Sequence, residues 1–220
     1  MIDESSSLII MRVSTKNNPP QEAAPMELYF VPLACSLATR IALYETGAGE
    51  ATRFHQVKLS TKLLADGSDY YAVNPKGQVP ALRLDDGSLL TEGAAVLQYV
   101  ADLKPEAKMA PPAGTLERYR LQSTLNFIGT ELHKQVLAQI FTPGMPEEAK
   151  TFMREQVAPK KIALLARELE DRDYLLEGGF SVADAYVFFV LTLCPIAQVD
   201  LAPWPVLKTY YERLMARPAV

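Results

Sequence analysis

Cysteine, histidine and tryptophan are scarce in this 220-residue chain: two, two and one. Cys35 and Cys194 lie far apart, so they make neither a disulfide scaffold nor a zinc site. That usage fits a reducing, cytoplasmic setting. Positive charge is not in excess. Lys and Arg number 22 against 26 Asp and Glu, a net charge of −4, which leaves no electrostatic case for nucleic acid or an anionic membrane. No apolar run reaches the length of a membrane span; Val182 to Ile196 comes nearest, and Asp184 interrupts it. There are no internal repeats. Hydrophobic residues do abound, at 49%, so a sizeable core can be buried. The length suits one large or two small domains.

Residues 1–25 are rich in Ser, Asn, Pro and Glu, with one short apolar patch from Leu8 to Val13. Asp3 and Glu4 precede that patch, where a signal peptide needs basic residues. The segment reads as a mobile or loosely docked N-terminal extension. Glu27 to Val31 then reads as a strand, Ser36 to Thr46 as a helix ending at Gly47, and Thr52 to Val57 as a second strand. Leu59 to Asp66 is expected to be a short helix or turn.

The stretch from Asn74 to Gly93 is the most informative. Asn74-Pro75 and Lys76-Gly77 are turn formers. Pro80 lacks an N–H and restricts Val79, so no helix passes through. Ala81 to Leu84 and Ser88 to Leu90 form a hairpin around Asp86-Gly87. A helix opens at Thr91-Glu92 and runs to about Asp102. A cis Pro80 would leave the Val79 backbone groups open to an extended peptide. The helix start at Glu92-Gly93 offers N–H groups to a carboxylate, and the Glu92 side chain suits an amine.

The order so far is β-α-β-α-β-β-α, an α/β thioredoxin-like domain over residues 26–103. Residues 104–114 hold three prolines and form a linker. Residues 115–220 read as an all-α helical bundle. Its first helix is Thr115 to Ile140 and its second Pro146 to Asp171, with a kink or break expected at Pro159. Ser181 to Asp184 is a capping-box pattern ahead of an apolar helix. Val206 to Arg217 is the last helix.

Two residues invite a chemical reading. Cys35 precedes a helix, where the dipole and free N–H groups favour a thiolate; a small buried hydrophobe is the plainer alternative. His133 shares helical spacing with Asn126 and Thr130, forming a polar stripe; a merely hydrogen-bonded helix histidine fits equally.

Gln78 to Leu82, the hairpin, then Thr91-Glu92-Gly93 resemble the glutathione-binding half of cytosolic glutathione transferases. Asn74 to Gly77 and Ala34 to Ala38 resemble the bacterial beta class of that family. The resemblance covers Met26 to Val220. It implies conjugation of glutathione to a small, largely apolar electrophile in a detoxifying role, with glutathione as substrate and no cofactor. It implies that Cys35 contacts the glutathione sulfur, and that Lys62, Val79, Pro80, Glu92, Gly93, Asn126, His133 and Lys134 bind the rest. Cys35 and His133 carry the catalytic expectation. Gly93 stands where many family members have Ser, and no hydroxyl residue lies between Phe30 and Leu33 to activate the thiol. A second-substrate pocket is expected near Val31, Leu33 and the helix from Asn126 to Ile140.

The resemblance also implies a homodimer, with Phe127, Leu137 and Phe152 as candidates for the buried surface. Two other functions fit the residues: a glutathione-dependent thiol–disulfide reductase acting through Cys35, and a non-catalytic ligand-binding protein. Ala38 occupies the place of a second thiol, so any reductase would be of the monothiol kind.

Overall fold

A computed structural model of the protein describes residues 24–220. The expectations for the N-terminal extension, including the patch from Leu8 to Val13, lie outside the described residues.

Four short strands form one mixed sheet in the order β2-β1-β3-β4. They are β1 (Glu27–Phe30), β2 (Arg53–Gln56), β3 (Ala81–Arg83) and β4 (Leu89–Thr91). β1 and β2 are parallel, so the chain must cross over between them, and α1 (Ser36–Glu45) makes that crossing. β3 runs antiparallel to both β1 and β4. α2 (Gly93–Leu103) follows β4 and buries Val96, Leu97, Val100 and Ala101.

Of the short helix or turn expected at Leu59 to Asp66, the turn is what forms. That segment makes isolated bridges from Leu63 to Lys58 and Asp69, then a single 3₁₀ turn, Tyr70–Ala72. The polar side chains explain this, because they satisfy nearby backbone groups themselves. Asp66 Oδ1 accepts from the Ser68 N–H at 2.9 Å, and Asp69 Oδ1 from the Tyr71 N–H at 2.9 Å.

The helical half has four main helices. α3 spans 116–140: an α-helical part, Leu116–Phe127, a π-helical part, Ile128–Leu137, and a last turn, Ala138–Ile140. α4 spans 147–168, and the break expected at Pro159 is a π-helical segment, Met153–Val157, after which α-helix resumes at Ala158. Proline removes one N–H donor, and the wider turn carries the chain past the gap. α5 is Val182–Leu193 and α6 is Pro205–Met215.

α5 is the axis of the molecule. Every residue from Val182 to Leu191 is buried. α1 of the sheet half and α3 both pack on it. One apolar core therefore runs from Leu28 and Ile41 through Val187 to Leu125 and Ile162. Leu137, expected as surplus surface, belongs to this core.

Ser181 and Asp184 build the expected capping box. Asp184 Oδ2 accepts from the Ser181 N–H at 2.8 Å and its hydroxyl at 2.7 Å. Asp184 Oδ1 accepts from the Leu175 N–H at 2.9 Å and the Tyr210 hydroxyl at 2.6 Å. The carboxylate is fully buried. Burial pushes its pKa up, and these four donors pull it back.

Asp184→Ala is expected to destabilise the fold by about 3–5 kcal/mol, since it orphans four buried donors at once. Ser181→Ala should cost about 1 kcal/mol. Chemical denaturation measures both, and the double variant should lose less than the sum, because the two side chains share one network.

Candidate functional site

The loop from Asn74 to Pro80 is fixed from beneath. Lys62 Nζ donates to the Gly77 carbonyl at 2.9 Å. Tyr70 Oη and Asn74 Nδ2 each donate to the Gln78 carbonyl at 2.8 Å. Gly77 has φ +61°, the left-handed region that favours glycine, and a Cβ there would stand 2.5 Å from the Tyr71 ring, which would have to shift. The Val79–Pro80 peptide bond is cis. Among the described residues the Val79 N–H donates no backbone hydrogen bond, while the Val79 carbonyl accepts from Cys35 Sγ at 3.1 Å.

Cys35 is the N-cap residue of α1. The backbone N–H groups of Cys35 and Ser36 and the Lys134 ammonium all favour its thiolate, as the sequence suggested. Burial nonetheless outweighs them and pushes the thiol pKa up, with Glu92 adding in the same direction. The expected low-pKa thiolate is therefore corrected to a neutral thiol, which suits its hydrogen bond to Val79. Cys194 is buried in apolar surroundings and pushed up to about 12.

Glu92 precedes α2 with φ +71°, and its side chain is exposed. Lys76 Nζ pairs with Glu92 Oε1 at 2.6 Å. Both Glu92 and Lys134 act through space on the Cys35 thiol. These groups gather with Val79 and Pro80 where α1 and α2 begin, the candidate cleft: the Val79 carbonyl accepts from Cys35, and Pro80 stands against Gly93.

His133 joins them from α3. It is 9% exposed, and its Nδ1 lies 2.8 Å from the Tyr186 hydroxyl. Phe189 and Tyr186 present ring edges to it at 5.1 and 5.9 Å. Burial lowers its pKa to about 4, and Lys134 works in the same direction, so the ring is neutral. The polar stripe expected through Asn126, Thr130 and His133 does not hold. Asn126 and Thr130 are exposed while His133 is buried. The π-helical part begins between them, and each extra residue in a turn shifts the face by about 100°. Asn126 makes no side-chain hydrogen bond among the described residues, so nothing ties it to the cleft. Of the expected pocket wall, Leu33 is 56% exposed beside Cys35, but Val31 is buried with Tyr29, Val57, Tyr70 and Ala81.

Two residues beside the cleft escaped the sequence reading, Lys76 and Tyr186. A tyrosine in the middle of an apolar helix was the available signal, since a buried hydroxyl needs a partner.

The family model for the glutathione S-transferase N-terminal domain matches residues 34–103, and that for the C-terminal domain matches 134–218. The chain belongs to the glutathione S-transferase family. It is 42% identical over 195 residues to glutathione S-transferase GstA of Escherichia coli O157:H7, spanning 89% of this chain and 95% of GstA. The solved beta class glutathione S-transferase of Sphingomonas chungbukensis is 44% identical, with a TM-score of 0.83 over 88% of this chain and 94% of the other. A sphingomonad glutathione S-transferase solved with glutathione is 42% identical, with the same TM-score and the same two coverages. The expectation of a transferase, most like the beta class, thus holds. Among the described residues no helix is long and apolar enough to cross a membrane.

In this transferase Cys35 should alkylate slowly at neutral pH. Its rate with iodoacetamide should rise only above the ordinary thiol pKa of about 8.5, and Lys134→Ala should move that rise to higher pH. Fast labelling at pH 7 contradicts the geometry.

His133 also sets a pH dependence. The unfolded ring titrates near 6.5, and the folded one near 4. Between these values the unfolded chain binds a proton the folded chain does not, so stability falls as pH falls. The loss approaches roughly 3 kcal/mol below pH 4. Urea titrations from pH 7 to 4.5 should show a shallower decline in His133→Gln.

Proposed function

We propose that this transferase joins glutathione to electrophilic, largely apolar substrates in the cytoplasm, as a detoxifying homodimer. The glutathione thiol gives up its proton, the sulfur bonds to the electrophilic carbon, and the leaving group departs with its electron pair. The observation that carries this reading is that the Cys35 thiol bonds to the Val79 carbonyl beside an open Val79 N–H, while Pro80 stands against the start of α2 at Gly93.

Residues 26–103 form the glutathione-binding part in this reading, 104–114 the linker, and 115–220 the helical domain. The peptide backbone of glutathione pairs with Val79 beside Pro80. Its amine meets Glu92, which Lys76 holds in place, and its γ-glutamyl carboxylate meets the N–H groups at Gly93. Lys62, whose Nζ donates to the Gly77 carbonyl, is the proposed partner of the glycyl carboxylate. His133 and Lys134 serve the sulfur side, with Cys35 as its neighbour, and Asn126 is kept as a weaker candidate. Leu33 and the inner face of α3 border the apolar pocket.

The neutral Cys35 thiol does not favour the reductase alternative. Assays of 1-chloro-2,4-dinitrobenzene conjugation and hydroxyethyl disulfide reduction, on wild type and Cys35→Ala, test this. Conjugation should dominate and survive the substitution. Disulfide reduction alone, abolished in Cys35→Ala, would overturn the proposal, as would a failure of wild type to bind glutathione.

Leu116, Tyr119, Phe152 and Leu164 stand exposed on α3 and α4, which supports an isologous dimer. Sedimentation at micromolar concentration should give a dimer; a monomer ends that part of the proposal.

Glu92→Ala should raise the KM for glutathione roughly tenfold, because it removes a charge-assisted contact of about 1.5 kcal/mol or more. Turnover at saturation should stay within about twofold, since the lost contact is far from the sulfur and binds ground and transition states alike.

A further inference from the structure

Tyr186 lies on α5, buried, with its hydroxyl 2.8 Å from His133 Nδ1. Either atom can be the donor, and satisfying the buried groups decides which. The Tyr186 hydroxyl has no other partner among the described residues. If Nδ1 carried the proton, the tyrosine hydrogen would have no acceptor, and an unmet buried donor costs about 1–3 kcal/mol. If the tyrosine donates, both groups are satisfied. The single proton of the neutral imidazole then sits on Nε2. Nε2 makes no hydrogen bond among the described residues and is not among their sealed, partnerless side-chain atoms, so it is not closed off from a partner outside the chain. The Tyr186 hydroxyl also feels the Cys35 thiol and the Glu92 carboxylate, the groups where α1 and α2 begin.

We propose that Tyr186 is a positioning residue of this site: its O–H donates to His133 Nδ1, holds the ring proton on Nε2, and so presents an N–H donor to the glutathione sulfur. The proposal rests on the reading of the cleft as the glutathione site. It explains why a polar side chain sits in the most buried helix of the molecule. It also gives the π-helical part of α3 a purpose, since Ala138 N–H bonds to the His133 carbonyl across the widened turn. That turn rotates His133 away from the exposed Asn126 and toward Tyr186. The rings of Tyr186 and Phe189 then pin the imidazole plane, so the N–H has one direction.

An N–H aimed at sulfur favours the thiolate over the thiol, so its loss should raise the apparent pKa of bound glutathione. One hydrogen bond of ordinary strength corresponds to about a two- to tenfold change. A strongly basic ring is not needed for this role. A neutral donor that never titrates near pH 7 gives the same stabilisation across the working range.

The test begins with nitrogen-15 NMR of His133 in the wild-type protein. The chain has two histidines, so His55→Gln assigns the spectrum. Wild type should show the Nε2–H tautomer, and Tyr186→Phe should show a mixture or the Nδ1–H form. In the conjugation assay at saturating glutathione, the acid limb of the kcat/KM profile for the electrophile should move to higher pH by roughly 0.3–1 unit in Tyr186→Phe, the same two- to tenfold effect. The double variant with His133→Phe should be no worse than His133→Phe alone. An Nδ1–H tautomer in wild type overturns the proposal and needs no variant to fold. So does an unchanged spectrum and pH profile in Tyr186→Phe, or full additivity with His133→Phe. Wild type that carries the Nε2–H tautomer but does not bind glutathione overturns the functional reading instead.

Discussion

The structure depends first on the buried carboxylate of Asp184. It receives the Leu175 and Ser181 backbone N–H groups and the Ser181 and Tyr210 hydroxyls. Those donors come from the loop before α5, the cap of α5 and the middle of α6. One side chain therefore fixes the height and tilt of the most buried helix. Everything at the cleft inherits that placement. α1, which begins at Cys35, packs on α5, and α3 packs on it from the other side. Tyr186, the partner of His133, is only two residues beyond Asp184. The bidentate pair of Arg217 with Glu45, at 2.6 and 2.7 Å, then ties the C-terminal end back to α1. Its partners are half-buried, so it fixes orientation more than it adds stability.

Burial, more than charge, sets the chemistry of the cleft. Cys35 has a helix start and Lys134 in its favour, and still burial wins. His133 has no acidic partner, and burial takes its proton away. Tyr186 is pushed further from ionising. A site whose thiol, imidazole and phenol are all held neutral does not supply a nucleophile. It suits a nucleophile brought in by the substrate, received by donors that need no reorganisation. That places thiolate chemistry on glutathione and leaves the protein to bind, orient and donate hydrogen bonds.

Much of this was legible in the sequence, and the rest was hidden for identifiable reasons. Turn residues are local signals, so the loop at Asn74 to Gly77, the hairpin at Asp86-Gly87 and the capping box at Ser181 could be read directly. The cis bond at Val79–Pro80 was open as a possibility in the sequence, and the structure decides it. At Leu59 to Asp66 the sequence left helix or turn open, and turn won because Asp66 and Asp69 bond their own neighbours, a competition that apolar spacing does not register. The stripe of Asn126, Thr130 and His133 failed because spacing arguments assume 3.6 residues per turn, and the turn there is wider. The Cys35 thiol was misjudged because the helix start is visible in sequence, whereas depth in a cleft is not. Tyr186 was missed because its partner lies 53 residues away on another helix.

The junction of β4 and α2 shows how function and conformation divide between neighbours. Glu92 holds φ +71° and ψ +114°, a region that a residue with a side chain occupies at about 1–3 kcal/mol. Gly93, next to it, does not have positive φ, and a Cβ there would meet only Pro80, at 3.9 Å. Glycine thus stands where a side chain would fit, and glutamate stands where glycine would be easier. Stability alone would reverse the two. The arrangement makes sense if the carboxylate is required at that point, facing Lys76 and the cleft, and if the next N–H is better left uncrowded. A strained glutamate at a helix start, beside an open backbone N–H at Val79, is the arrangement the proposed reading calls for, since the γ-glutamyl end of glutathione carries both an amine and a carboxylate.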